Sequence, residues 1–402
     1  MSVAPEPPAR EHLSLKEART IALRAQGLIN GPERPRSTRA MLDQLGAVQL
    51  DTISVLARSH ELVAYARLGA IPRKRIEDAY WNTPARAFEF WGHANCIFPT
   101  EAWPYFAFRR RVRATTAAGW LTPESETALD EVRARLRDGP ATVSDLGGGR
   151  TGDGGWWSWS SAKRAVEWLY YRGEVVCTNR TGWKRIYDLP ERAFPPEPVA
   201  HDPSDEECFA YFVGKATRAL GVATRREIAA YFRLASPARM VPPNPWALVD
   251  TAIEACGLVA VSIEGWHEIA YAHPDDLAKP RSGRCRTTLL SPFDSLIWAP
   301  WRMLKRNERL FGFTYLMETY LPKEQRTHGY FVMPLLANGR IAGLADPVRK
   351  GNTLVLRRVS LKDRTAAPAM AKALREAATW VGCDSVVVES TDPPGALDGL
   401  GL

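Results

Sequence analysis

Gln49 and Asp51 stand two positions apart inside the apolar stretch LGAVQLDTISVLARSH, residues 45–60. An amide and a carboxylate can work as a pair. One orients a water molecule, and the other takes its proton or faces a developing positive charge. A buried carboxylate without partners is costly, so its presence in an apolar run calls for an explanation. On a helix, residues two apart diverge by about 200° and serve no common site. On an extended strand they share one face. With Val48 and Leu50 turned inward, Gln49 and Asp51 then project together. The competing structural reading has Asp51 capping the next turn through Thr52 or Ser54, with Gln49 simply solvated. Spacing alone leaves both open.

The preceding residues must deliver this strand. LSLKEARTIALRAQGL (13–28) carries apolar residues at helical spacing, and Ser14 with Glu17 forms a capping-box pattern. A second helix is predicted from near Thr38 to Gly46, whose glycine is a stop signal. The Gln-Leu-Asp stretch begins where that helix ends.

A repeat follows. RGEVVCTNRTGWKRIYDLPERA (172–193) and CGLVAVSIEGWHEIAYAHPDDL (256–277) share a glycine, apolar alternation, a Gly-Trp turn and a second alternating run. Each reads as a β-hairpin after an amphipathic helix, 160–172 in one case and 245–256 in the other. ATVSDLGG (141–148) and VATRREIAAYF (222–232) supply a cap and a short helix before each. Helix, short helix, helix, hairpin is the winged-helix plan. Residues 13–120 can be read in the same way, ending in PRKRIEDAYWN, the FWGHANCIFPTEAW segment and an Arg-rich helix. The C-terminal third alternates in short runs, with Asn338-Gly339 as a hairpin turn, then a helix at 366–381, a strand near 384–389 and a loose tail GALDGLGL. The expected fold is α+β: tandem winged-helix units with a C-terminal antiparallel β-barrel-like domain. The expected divisions are a disordered lead-in 1–12, winged-helix units at 13–120, 121–200 and 201–283, and the β-rich domain at 284–402.

The chain has 402 residues, 45% hydrophobic and 24% charged, which suits a folded multidomain protein. It lacks an apolar run of about 18 residues and its Pro-rich start has no apolar signal region, so no membrane or secretory role is expected. The six cysteines form no C-x-x-C pair and no zinc spacing with histidine, which predicts reduced cytoplasmic thiols and no zinc site, and no metal or cofactor is expected. A net charge of +8, spread in Arg-rich clusters, is compatible with a polyanionic partner and equally with solvated helix faces.

The chain resembles the AlkZ/YcaQ-like family of DNA glycosylases over about residues 12–390. The resemblance is carried by Gln49-Leu50-Asp51, EFWGHANCIFP (89–99), SPFDSLIWAPWRMLKRNERLFGFTYLMETYLP (291–322), GYFVMPLL (329–336) and ADP (345–347). The Gln-apolar-Asp form looks like the YcaQ-type branch. The resemblance implies tandem winged helices with a β-barrel and monofunctional excision of N7-alkylated purines, including unhooking of N7-linked interstrand crosslinks. Double-stranded DNA is then the partner, bound by a monomer without an obligate protein partner. Asp51 is the expected electrostatic stabiliser and general base, and Gln49 the residue that holds the water or orients Asp51. A non-enzymatic winged-helix DNA-binding or regulatory protein is the alternative. A two-metal nuclease is disfavoured, because no carboxylate cluster is evident in the sequence.

Other candidates each carry a structural alternative. His93, in WGHANCIFP, is either a DNA- or lesion-facing side chain or a core histidine. Arg58 and His60 follow the catalytic motif within reach of phosphate, or are merely exposed. Arg302, Lys305, Arg306 and Arg309, interleaved with Trp301 and Phe311, suit duplex backbone contact or a solvated face over an aromatic core. His328, beside Gly329, is placed at a hairpin tip that enters a groove. Ser160 and Ser161 are expected caps, and the tryptophans of GGWWSWSSAKR core anchors.

Overall fold

Ser14 starts the first helix, Leu15–Ala25, through the expected capping box, its side chain and that of Glu17 each taking the other's backbone N–H. The second helix, Thr38–Leu45, begins at Ser37 and ends on Gly46 in the left-handed conformation (φ 70°). Val48–Gln49 follows as a short strand. These elements belong to a computed structural model that describes residues 9–82, 84–115, 123–148, 160–236, 241–298 and 304–402. The fold is mixed α+β, and the chain divides into two units.

The first unit gathers Met1–Ile76, Gly214–Tyr231 and Cys256–Leu402. One of its sheets has four strands in the order Glu11–Leu13, Val259–Ile263, Ala270–Ala272 and Val222–Thr224. The first pair is parallel and the other two are antiparallel. Glu11 and His12, which fall in the disordered lead-in expected over 1–12, therefore belong to a strand. Its backbone donors and acceptors find partners on Val261–Ile263, which is reason enough for order.

The second sheet has six strands: Thr288–Leu289, Met333–Ala337, Arg340–Lys350, Thr353–Leu361 and Ser385–Val388 in sequence, with Thr391–Asp392 also on Thr353–Leu361. Asn338 and Gly339 both take positive φ (49° and 72°), as a two-residue hairpin turn requires. The expected antiparallel β-barrel-like domain is corrected in part, since its first four strands do pair antiparallel. The last two strands run parallel to Thr353–Leu361, because the chain returns through helix Ala367–Trp380. Nor is the sheet closed in strand order among the described residues. The tail is not loose either. Ala396 and Leu397 are buried in the core beneath the helix, and Arg375 Nη1 donates to Leu400 O at 2.6 Å.

The second unit comprises Glu77–Val213 and Phe232–Ala255. Four of its strands run antiparallel in the order Asn95–Pro99, Ala87–Trp91, Val176–Thr181 and Lys184–Asp188. Its core is aromatic, with Phe88, Phe90, Phe98, Trp103 and Phe106 in edge or tilted contact. Glu89 is fully buried there, ion-paired to Arg180 and Arg185. Both repeated hairpins form, after helices Ser161–Arg172 and Pro245–Ala255. Ser160 is the N-cap of the first of these helices, as expected. ATVSDLGG is a turn closed by Thr142 and Asp145 rather than a helix, while Arg225–Tyr231 is a helix capped reciprocally by Thr224 and Glu227. The tryptophans at 156, 157 and 159 lie outside the described residues.

One helix was not legible in the sequence. Ser59–Leu68 follows strand Val48–Gln49 after the loop 50–58, and helix Arg73–Tyr80 comes after it. Leu62 and Tyr65 of the Ser59–Leu68 helix enter the core that the C-terminal sheet and helix Ala367–Trp380 build, where Tyr65 stacks on Trp380 at 4.5 Å.

Candidate active site

Burial along 48–51 alternates as period two requires. Val48 and Leu50 are buried, while Gln49 and Asp51 are half-buried. What fixes this conformation is Ser59, the first residue of the following helix. Its hydroxyl donates to Gln49 O at 2.8 Å and accepts the Asp51 N–H at 2.9 Å. One buried side chain thus satisfies the backbone on both sides of Leu50.

Asp51 also accepts the Ile53 N–H on Oδ1 at 2.8 Å, so it makes the local cap of the structural reading as well. Burial pushes its carboxyl above the ordinary aspartate range, opposed by the N–H groups of Ile53 and Thr52. Desolvation thus makes Asp51 a better proton acceptor than a surface aspartate.

The helix that carries Ser59 is anchored at its other end. Arg67 and Asp294 are both fully buried and paired through two bonds, Nη1–Oδ2 at 2.6 Å and Nη2–Oδ1 at 2.9 Å. Arg67 also donates to Gln26, through Nε to its carbonyl at 2.8 Å and through Nη2 to Oε1 at 2.9 Å. Ser295 Oγ donates to the same Oε1. At the first turn Glu61, also buried, takes the Arg58 N–H at 2.7 Å and pairs with Arg73. The result is a rigid support behind Gln49 and Asp51.

A second segment of the same unit is braced in a related way. Glu318 is buried, and its Oε2 accepts the N–H groups of His328 and Gly329 at 2.8 and 3.0 Å. Asp346 is buried, and its Oδ1 accepts those of Tyr330 and Phe331 at 3.2 and 3.0 Å. Gly329 has φ 138°, and a side chain there would collide with the Asp346 carboxylate. His328 lines a cavity of about 460 Å³ with Tyr315, Leu316, Glu318, Thr327 and Leu344.

The remaining sequence candidates divide. Arg58 is half-buried at the start of the Ser59 helix. His60 is fully buried within that helix, which removes it from phosphate reach. Arg306 is buried against Glu227 at 2.8 Å, and Arg309 pairs with both Glu227 and Glu268. Their charges serve internal ion pairs rather than the proposed duplex contacts, because a buried carboxylate such as Glu227 is costly unless paired. Arg302 lies outside the described residues. His93 belongs to the second unit, buried in the turn between strands Ala87–Trp91 and Asn95–Pro99. Burial, then the charges of Arg233 and Arg109, holds its imidazole down to about 3, so it is neutral. This matches its core reading. Among the described residues, no group of three or more His, Cys, Asp and Glu side chains is placed to hold a metal ion, and no helix is long and apolar enough to cross a membrane.

Sequence reasoning missed Ser59, Glu318 and Asp346. Asp346 lay in the ADP stretch without a role, and Glu318 in the long stretch that precedes it. Ser59 left no local signal, since its partners are eight and ten residues upstream.

A family model described as DNA glycosylase AlkZ-like matches residues 42–380. The chain belongs to the AlkZ-like DNA glycosylase family. The match spans the Gln-Leu-Asp strand, the Ser59 helix, Asp294 and both bracing carboxylates. Among solved structures, the DNA glycosylase AlkZ of Streptomyces sahachiroi is similar in fold, with TM-score 0.63 and 17% sequence identity, covering 94% of this chain and 99% of that one. As an AlkZ-like glycosylase the chain is a hydrolase that acts on DNA. In this AlkZ-like enzyme Ser59→Ala is expected to cost about 1–3 kcal/mol of stability, because it strands two part-buried backbone groups. Its turnover should fall further than the loss of folded protein explains. Urea melts and active-site-normalised rates on one preparation separate the two effects.

Proposed function

We propose that the chain is a monofunctional DNA glycosylase that hydrolyses the N-glycosidic bond of N7-alkylated purines, including the unhooking of N7-linked interstrand crosslinks. The observation that carries this reading is the Asp51 carboxylate beside Gln49, half-buried and held in a segment whose backbone Ser59 locks on both sides of Leu50.

N7 alkylation leaves the purine positively charged, so it departs with little acid assistance. The difficult part is the sugar, which passes through an oxocarbenium-like state, together with placement of the attacking water. Ionised Asp51 stabilises that cation and accepts the water's proton, while the Gln49 amide orients the water. The scheme forms no Schiff base and so leaves an intact abasic strand. Arg58 and His328 are the proposed backbone contacts that remain from the sequence candidates. Segments 121–200 and 201–283 are proposed as winged-helix units. Supporting this, each recognition-type helix precedes a hairpin, and a preceding residue or strand pairs with that hairpin, Ala141 on Tyr187 and Val222–Thr224 on Ala270–Ala272.

The test uses a duplex carrying N7-methylguanine, or a nitrogen-mustard crosslink, followed by cleavage of abasic sites. Alkali-dependent strand breaks, without breaks before alkali, are expected. Failure to release base from either substrate would overturn the proposal.

The pH profile is a separate expectation. Activity requires the carboxylate, so it should be full at neutral pH and fall as acid protonates Asp51. The fall should begin at a higher pH than an ordinary aspartate would give, because burial raises this carboxyl. A single-turnover rate that stays flat down to the usual aspartate range contradicts the assignment.

A further inference from the structure

Tyr320 is 74% exposed, a large aromatic side chain held out into water. A lone exposed aromatic is ordinary. What is unusual is the investment in the loop that carries it. Tyr320 ends the short helix Glu318–Tyr320, and its neighbours on both sides are fixed. Buried Glu318 holds the N–H groups of His328 and Gly329. Thr319 Oγ1 donates to Tyr330 O, and Arg326 Nε donates to the carbonyls of Glu318 and Leu321. The Arg326 guanidinium also lies over the Tyr330 ring, 5.0 Å from its centroid. The loop therefore presents Tyr320 rigidly, with little ordering entropy left to lose on binding.

The loop and the catalytic strand share a foundation. Met317 and Tyr330, which flank the loop, pack on the same core as Ile53 and Val55, which follow Asp51. The Asp51 carboxylate acts on the Tyr320 phenol: desolvation first, and then the negative charge of Asp51, raise it above its usual value.

Resting on the glycosylase reading above, we propose that Tyr320 is a specificity-determining residue, an aromatic platform on which the damaged cationic purine stacks beside Asp51. An aromatic face attracts a cation through its quadrupole as well as by area, so it favours an N7-alkylated base over the neutral parent. Neutral guanine gains only the stacking. The braced loop keeps the ring in place, and Asp51 faces the sugar of the same nucleotide.

Three proteins test this: wild type, Tyr320→Phe and Tyr320→Ala, each first shown to melt with the wild type. Affinity is measured for duplexes holding two uncleavable analogues, a 2′-fluoro N7-methylguanine, which is cationic, and 7-deaza-7-methylguanine, its neutral isostere. Wild type should prefer the cationic duplex. Tyr320→Ala should weaken binding of that duplex by about tenfold to a hundredfold and erase most of the preference. Tyr320→Phe keeps the aromatic face and should stay within about threefold of wild type. Undiminished affinity in Tyr320→Ala overturns the proposal. So does an equal loss on both duplexes, which would make the ring a general DNA contact. Base release by wild type is scored in parallel on cleavable N7-methylguanine. If it is absent, the glycosylase reading itself fails. If it is present while Tyr320→Ala is unaltered, only the platform fails.

Discussion

Asp51→Asn is expected to slow base release by about 10²- to 10⁴-fold, the range for losing a positioned general base, while the protein melts no lower than wild type. The two halves have one cause. Asparagine keeps an oxygen for the Ile53 N–H and leaves the Ser59 bridge, which uses only backbone atoms of residues 49 and 51, untouched. What it removes is the negative charge. Because burial raises the Asp51 carboxyl, the stability it contributes is full in acid, below its unfolded pKa, and lost as pH rises through its folded pKa. At neutral pH the ionised group is therefore a burden to folding, which asparagine lifts. Gln49→Ala should be less damaging, since it loses orientation of the water but not the charge. Single-turnover rates on an N7-methylguanine duplex, beside melting curves, check all three statements. A fast Asp51→Asn enzyme would show that the carboxylate does not carry the chemistry.

Asp294→Ala is expected to cost about 3–5 kcal/mol, the usual penalty for leaving one member of a buried ion pair uncompensated. Arg67 would keep its bonds to Gln26 but lose both carboxylate oxygens in a site with no water-facing surface. Activity should disappear with it, since Arg67 holds the far end of the helix whose Ser59 locks the catalytic strand. The diagnostic comparison is the double variant Arg67→Met, Asp294→Leu. Apolar replacement of the whole pair should recover much of the urea midpoint that Asp294→Ala loses. A midpoint for Asp294→Ala within about 1 kcal/mol of wild type would mean that the buried charge is tolerated some other way.

The local features were legible. The Ser14–Glu17 box, the Gly46 stop, the alternation at 48–51, the Asn338-Gly339 turn and both repeated hairpins depend on neighbours a few residues apart, and period or cap chemistry reveals them. Arg306 and Arg309 were misread for the opposite reason. A guanidinium beside aromatic residues reads the same in sequence whether it faces phosphate or an acid such as Glu227, about eighty positions away. The candidate site was half legible in the same sense. Gln49 and Asp51 announce their shared face, but the hydroxyl that imposes it and the pair that anchors its helix are tertiary. The mixed C-terminal sheet escaped because alternating runs do not state whether a return through a helix makes the next strand parallel.

The separation of Arg67 from Asp294, 227 residues, has a bearing on how the protein is made. On a ribosome, the catalytic strand and its helix emerge early, and their counter-charge follows after on the order of ten seconds or more. The N-terminal strand waits similarly, for Val261–Ile263. Until synthesis passes Asp294, the Gln49–Asp51 platform lacks its anchor. A chain released before Asp294 therefore holds the catalytic residues without the means to aim them, and base excision begins only once synthesis has passed that point.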